Sequence, residues 1–442
     1  MNRLIGYFAG ICRKACGATV VKVLSLTSVA TLVRVCTGLV SVKVVAAVVG
    51  PAGVAMLGQL GNFTNIAQTL AGGGICNGIT KYVSEHKDNA SLTSQYLSAA
   101  LKITLVCSVV CGLLMICLSG WLSRLVMFSS DYAYVFTVFG VTIALYALNA
   151  ALLAAVNGFK LFRKYVVVSI ANSIAGAAFT VALALLCGLG GALVAAVTYQ
   201  SVVFVVTLWL LRRQLWLRLC SLRGRIPAAV RKGFGGFAVM SLVTAIVVPL
   251  VQMLLRGHIM TDISASEAGV WEGMQKISSV YMMVVTTSLS VYYLPRLSEL
   301  HSPALLRREI LRAYALIVPL LAGGFVLIYF MRFLIIRLLF TPEFASMQAL
   351  FAWQMAGDLL RVVSWLLAFM MVAKAMTVHY VVTEIASSLI YLLLGYALVC
   401  VNGVVGLVQA NLINYAIYFA VMLFIFRKIL FTKQIKRSND TE

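Results

Sequence analysis

Residues 212–232 read RRQLWLRLCSLRGRIPAAVRK. Seven of them are basic and none is acidic, and no other connection in the chain is as long or as polar. On its N-terminal side lie six apolar segments, roughly 23–48, 54–79, 98–120, 133–157, 162–187 and 190–211. On its C-terminal side lie six more, roughly 234–255, 267–294, 313–336, 347–373, 377–400 and 404–426. Each is long enough to cross about 30 Å of hydrocarbon at about 1.5 Å per helical residue. Turn signals separate neighbouring segments: Gly50-Pro51-Ala52-Gly53, Gly188-Leu189-Gly190-Gly191 and Asn402-Gly403. The basic stretch therefore reads as the joint between two halves of six helices each.

Composition agrees. Of 442 residues, 62% are hydrophobic and 11% charged, and the mean hydropathy is +1.00. A soluble chain of this length needs far more charge on its surface. An ordinary soluble enzyme, a secreted disulfide scaffold and a disordered protein are excluded. An all-α polytopic membrane protein remains. The organisation expected is an N-terminal arm 1–21, a first lobe 22–211, the linker 212–232, a second lobe 233–427 and a tail 428–442.

The net charge of +22 suggests nucleic acid until the charges are placed. With the N-terminus in the cytoplasm, 27 of the 35 basic residues fall on the cytoplasmic side. Four fall on the other side (Arg124, Arg256, Arg332, Arg337) and four within spans (Arg34, Lys43, Lys276, Arg361). This is the positive-inside distribution. It orients both termini to the cytoplasm and puts the basic loops against anionic lipid head groups, with no nucleic acid involved. The first 21 residues lack the long apolar run and small-residue cleavage site of a signal peptide. The ten Cys are scattered without metal-type spacing and read as small apolar residues. No metal or cofactor is expected. There is no Gly-Lys dipeptide and hence no phosphate-binding loop for ATP.

The halves resemble each other. Ala52-Gly53-Val54 with Gln59 matches Ala268-Gly269-Val270 with Gln275 at an offset of 216. Ser84-Glu85 matches Ser298-Glu299 at an offset of 214. Six spans separate the matched segments, so the repeats run parallel about an axis along the membrane normal. Carriers of this kind bind substrate between lobes near mid-membrane.

Polar residues are costly inside a bilayer, so those present are informative. Thr27, Thr31, Arg34, Thr37 and Ser41 share one face of span 1. Asn62, Asn65 and Thr69 share one of span 2. Span 8 carries Glu272, Lys276 and Ser279; span 10 carries Gln354, Asp358 and Arg361. Span 11 has Glu384, Ser387, Ser388 and Tyr391, and span 12 has Gln409, Asn411 and Asn414. Isolated Ser and Thr are explained by bonds between helices. Arg34 has no acid on its own face and needs water or an anion. Glu272 with Lys276, and Asp358 with Arg361, are spaced as self-contained ion pairs. Lys43 lies near a span end and can snorkel. Glu384 has no cation one turn away, and such a carboxyl suits proton coupling.

Several stretches carry a family likeness: Gly50-Pro51-Ala52-Gly53; Asn77-Gly78-Ile79-Thr80-Lys81-Tyr82-Val83; Ser290-Val291-Tyr292-Tyr293-Leu294-Pro295; and Phe351-Ala352-Trp353-Gln354 with Gly357-Asp358 and Arg361. Across 22–427 the chain resembles the polysaccharide-exporter branch of the multidrug/oligosaccharidyl-lipid/polysaccharide superfamily. Within that branch it is most like the flippases of enterobacterial common antigen and O-antigen precursors. The resemblance implies two six-helix lobes in a V-shaped transporter of the Gram-negative inner membrane. It implies an undecaprenyl-pyrophosphate-linked oligosaccharide moved from the cytoplasmic to the periplasmic leaflet by alternating access, coupled to an ion gradient. Arg34, Lys276 and Arg361, and more weakly Lys43, would engage the pyrophosphate. Asn62, Asn65, Gln354 and Asn414 would meet sugar or water. Glu272, Asp358 and Glu384 would balance charge or carry protons. A polysaccharide polymerase and a chain-length regulator are the partners implied besides membrane lipid.

Two other classes compete. A multidrug or cation antiporter of the same superfamily would favour lone carboxylates, whereas the spans here hold four cations and three acids. A membrane enzyme such as a polymerase or ligase needs a large outer loop, and the outer loops here run to only about 7–15 residues.

Overall fold

The computed structural model describes residues 18–86, 89–212, 228–289, 293–300, 302–374 and 376–431. Most of the expected arm, linker and tail lies outside the described residues. Among those described, the chain is helical: α1 (Ala18–Ala71), α2 (Cys76–His86), α3 (Ala90–Cys117), α4 (Ser119–Met127), α5 (Ala133–Gly158), α6 (Phe162–Leu211), α7 (Ala228–Asp262), α8 (Ala265–Ser288), α9 (Leu294–Glu299), α10 (Pro303–Phe330), α11 (Arg332–Leu339), a 3-10 turn (Pro342–Leu350), α12 (Phe351–Ala373), α13 (Thr377–Ile425) and α14 (Arg427–Phe431). Eight of these helical stretches are long and apolar enough to cross a membrane, and the chain is a multi-pass membrane protein. α8 is not one of the eight, because Glu272, Gln275, Lys276 and Ser279 make one face of it polar.

Three of the eight are too long for one crossing, and each is broken at a glycine. At about 1.5 Å per residue, the 49 residues of α13 would reach about 74 Å. Gly403 breaks it with φ 58°, ψ −143°, and Gly188 breaks α6 with φ 59°, ψ −138°. The chain turns back at both. A side chain at Gly191 would strike the Leu183 carbonyl, and one at Gly406 the Leu398 carbonyl. Residues eight apart in a straight helix would be separated by about 12 Å. Asn414 Nδ2 also donates to Ser387 Oγ at 3.1 Å, across 27 positions of α13. The two elements are helical hairpins that turn where Gly188 and Asn402-Gly403 signal it. α1 is interrupted in the same way at Gly50 (φ 64°, ψ −174°). An L side chain at such a φ costs about 1–3 kcal/mol. Gly403→Ala is therefore expected to lower the thermal midpoint of the detergent-solubilised protein. Wild-type melting would show that the turn carries no such strain.

Two sequence boundaries are corrected. The expected span 54–79 is two elements, because Gly73 and Gly74 at φ 67° and 65° end α1 and α2 begins at Cys76. Within the expected span 267–294 the α-helix runs to Ser288, Leu289 and Tyr293 are in π-helical turn, and residues 290–292 lie outside those described. The expected span 313–336 begins earlier, at Pro303, which is pre-set for a first helical turn. Arg307, Arg308 and Arg312 had hidden that start by breaking the apolar run.

The chain forms two compact units, Met1–Val49 with Gln59–Ile246, and Gly50–Gly58 with Val247–Glu442. In the first, α3 and α5 cross where Gly112 and Gly140 face each other's carbonyls, the close approach that small residues permit in membranes. Ile75, Ile79, Val83, Ala100, Ala151 and Phe234 fill the core beside that crossing. In the second, α12 is central. Val362, Leu366, Leu367 and Met371 pack with Leu297, Ile310 and Met422. Tyr293 and Tyr314 donate to the α12 carbonyls of Leu366 and Val363 at 3.0 and 2.6 Å. Large apolar side chains such as Leu186, Leu320 and Val401 point outward, as lipid requires.

Candidate functional site

The second unit holds a polar pocket of about 90 Å³. It is lined by Gln252 of α7, Gln275 of α8, Gln354, Arg361 and Trp365 of α12, and Glu384, Ser387, Tyr391, Asn411, Asn414 and Tyr415 of α13. One water needs roughly 10–15 Å³ of such space, so the pocket is large enough to be wet. The α13 hairpin explains how positions 384–391 and 411–415 come to share one wall.

Arg361 is the cation of this pocket. Its guanidinium lies 4.5 Å from the Trp365 ring centroid and 5.6 Å from that of Tyr415. The carboxylate oxygen nearest to it, Asp358 Oδ1, is 4.0 Å away. Asp358 is fully buried and its charge is held by other groups. Its Oδ2 accepts from Ser278 Oγ at 2.6 Å, from Gln354 Nε2 at 3.0 Å and from the Tyr281 hydroxyl. Asp358 Oδ1 and Arg361 Nε have no hydrogen-bond partner among the described residues. The expected Asp358–Arg361 pair is thus a long contact that leaves Arg361 able to take an anion. Glu384 faces the same pocket and makes no hydrogen bond or ion pair among the described residues. Gln275 Nε2 reaches Gln354 Oε1 at 3.4 Å.

Beside the pocket residues sits a charged triad. Glu272 is buried, with Lys276 Nζ 3.1 Å from Oε1 and Arg256 on Oε2. The pair expected on α8 alone therefore has a third member. Arg256 was counted on the outer side of the membrane. It does not sit in a connecting loop: it is 1% exposed, inside α7 and stacked 5.2 Å from the Trp271 ring. α7 runs on through Gly257 to Asp262, so Arg256 lies within the helix. The Lys276 side chain is 48% exposed and open to a second anion. Gly58 makes room for the triad, since a β-carbon there would lie 2.6 Å from Glu272 Oε2.

The remaining residues singled out in the sequence belong to the first unit. Arg34 is exposed on α1 and has no ion pair among the described residues. Lys43 is half-buried on the same stretch. The hydroxyls of Thr37 and Ser41 are returned to their own helix, bonded to Val33 O at 2.8 Å and Thr37 O at 2.9 Å. Asn65 is exposed, and Asn62 Nδ2 is buried without a hydrogen-bond partner among the described residues. Sequence reasoning missed Arg256, Gln252, Tyr281 and Tyr415. The tyrosines carry no charge to mark them in an apolar helix.

The profile of the family described as polysaccharide biosynthesis protein matches residues 20–301. The lipid III flippases of Escherichia coli strain K12 and Shigella flexneri are each 26% identical over 400 residues, 90% of this chain and 96% of theirs. Among solved structures, the lipid II flippase MurJ in an inward closed conformation aligns with a TM-score of 0.69 at 13% identity, covering 93% of this chain and 90% of that one. An inward-facing multidrug resistance MATE family transporter of the MOP superfamily aligns with a TM-score of 0.67 at 13% identity, covering 91% of this chain and all of that one. These relatives are flippases and transporters, not catalysts. Its profile match spans more than half the sequence, and the chain belongs to the polysaccharide biosynthesis protein family, on the transporter fold of the superfamily its motifs resemble.

Proposed function

We propose that this protein is a flippase for an undecaprenyl-pyrophosphate-linked oligosaccharide, an O-antigen repeat unit or the lipid III of enterobacterial common antigen. It moves the head group from the cytoplasmic to the periplasmic leaflet of the inner membrane. The observation that carries this reading is the match to lipid III flippases along 96% of their length. The site chemistry supports it. A sugar chain and a diphosphate cannot enter hydrocarbon unaided, and Arg361, Lys276 and Arg34 offer cations that buried acids do not neutralise fully. Arg361, Lys276, Arg34 and, more weakly, Lys43 contact the diphosphate. Gln354, Asn414, Asn62 and Asn65 meet sugar or water. Asp358, Glu272 and Glu384 balance the cations, and Glu384 exchanges a proton on the return of the empty carrier.

The transport cycle we infer is alternating access of two six-helix lobes, 22–211 and 233–427, with both termini cytoplasmic. The order of helices supports the repeat. The breaks at Gly188 and Gly403 occupy equivalent places in two successive sets of elements, and the α3–α4 pair recurs as α10–α11.

Deletion of the gene is expected to leave lipid-linked oligosaccharide on the cytoplasmic leaflet and to remove the surface polysaccharide. Reporter labelling of each leaflet measures the first and gel analysis of polysaccharide the second. The competing reading, a multidrug exporter, draws on the MATE likeness. Under it the deletion strain would show unchanged polysaccharide and raised sensitivity to cationic drugs, and the flippase assignment would fall.

A further inference from the structure

We propose that the outward face of α10 binds a phospholipid carrying two phosphates, as a resident of the protein and not as its cargo. Ala304, Arg307, Arg308, Leu311, Arg312 and Ala315 line a shallow hollow of about 500 Å³ along this face. Their spacing of three and four residues puts them on one stripe of the helix. None of the three arginines has an ion pair among the described residues. The one acid in these turns, Glu309, points elsewhere and meets Arg296 Nε at 3.9 Å.

Like charges one turn apart repel, so Arg308 with Arg312 is unfavourable until an anion bridges them. A guanidinium grips a phosphate with two parallel hydrogen bonds. Three guanidiniums in succession match two phosphates better than one. The surface continues in a way that suits lipid. Beyond Arg312 the exposed residues are apolar, with Leu316 and then Leu320, which is 73% exposed. At Gly323 and Gly324 a side chain would meet open space. Charged head and apolar track on one helix are the two halves of a phospholipid site.

The orientation of α10 separates resident from cargo. Leu306, Ile310 and Tyr314 form its inner face, and the Tyr314 hydroxyl is bonded to α12. The arginines lie on the opposite side of the helix, and none of them lines the polar pocket at Arg361. A diphosphate held here faces away from that pocket. The site stands on these observations whether or not the transported molecule is the one proposed above.

The test is native mass spectrometry of the full chain in detergent, titrated separately with cardiolipin, phosphatidylglycerol and undecaprenyl pyrophosphate. One cardiolipin per chain is expected to bind at least tenfold more tightly than phosphatidylglycerol. The triple variant Arg307→Gln/Arg308→Gln/Arg312→Gln is expected to lose at least tenfold in cardiolipin affinity, while Arg332→Gln/Arg337→Gln keeps it. Thermal stability without lipid controls for folding. If the triple variant fails to fold, the single change Arg308→Gln decides, with a loss of at least threefold expected. Equal binding by wild type and variant overturns the site. Equal affinity for the one-phosphate and two-phosphate lipids overturns the ligand class, and displacement of cardiolipin by undecaprenyl pyrophosphate overturns the distinction from cargo.

Discussion

Arg361→Ala is expected to remove surface polysaccharide while the protein stays folded in the membrane at wild-type amounts. The guanidinium faces a wet pocket, and its nearest carboxylate oxygen is 4.0 Å away. Losing one partner of a desolvated charge contact costs about 2–5 kcal/mol. At about 1.4 kcal/mol per decade that is roughly thirty- to several-thousand-fold in affinity for the diphosphate. Folding is protected because Asp358 keeps its three hydrogen-bond donors from Ser278, Gln354 and Tyr281. Arg361→Lys separates charge from geometry, since an ammonium keeps the charge and loses the planar fork. It should retain part of the transport that the alanine variant loses. Arg34→Ala provides a second arm of the test with little folding risk, because Arg34 is exposed and changes at such positions usually stay within about 0.5 kcal/mol. Normal polysaccharide from both alanine variants, with both proteins present in the membrane, would end the diphosphate assignment.

The parts of the molecule legible in the sequence were those set by local physics. Apolar length gave the helices, and Gly188 and Asn402-Gly403 marked the two hairpin turns because only glycine adopts their backbone angles at little cost. The Gln354–Asp358–Arg361 stripe was legible because charge inside an apolar helix is conspicuous. Tertiary choices were not legible. The sequence pairs Asp358 with Arg361 by spacing, whereas the fold supplies Tyr281 and Ser278 from α8, two neutral donors that bind one oxygen and leave the other facing the cation at a distance. Arg256 was lost for a similar reason. Counting basic residues by loop assigns it to a connection between spans, and only the course of α7 to Asp262 places it within a helix.

Arg256→Ala is expected to be the most destabilising single change in the second unit. It leaves Glu272 buried with Lys276 as its one remaining ion-pair partner among the described residues, and the Lys276 side chain is 48% exposed. Breaking a buried ion pair by deleting one member costs about 3–5 kcal/mol, to which the lost stacking on Trp271 adds. The melting temperature and membrane abundance of the solubilised protein should both fall. Replacing both charges at once, Arg256→Met with Glu272→Leu, should recover much of the loss, because two apolar groups need no counter-charge. The double change has a further consequence under the proposed function. Arg256 lets Glu272 stay neutralised when Lys276 turns to a diphosphate; without either of them Lys276 has no carboxylate to return to. The doubly apolar variant should therefore fold while transporting poorly, with the lipid-linked cargo retained on the carrier. If Arg256→Ala melts like the wild type, the triad holds no buried charge worth compensating, and this account of how Lys276 is released collapses with it.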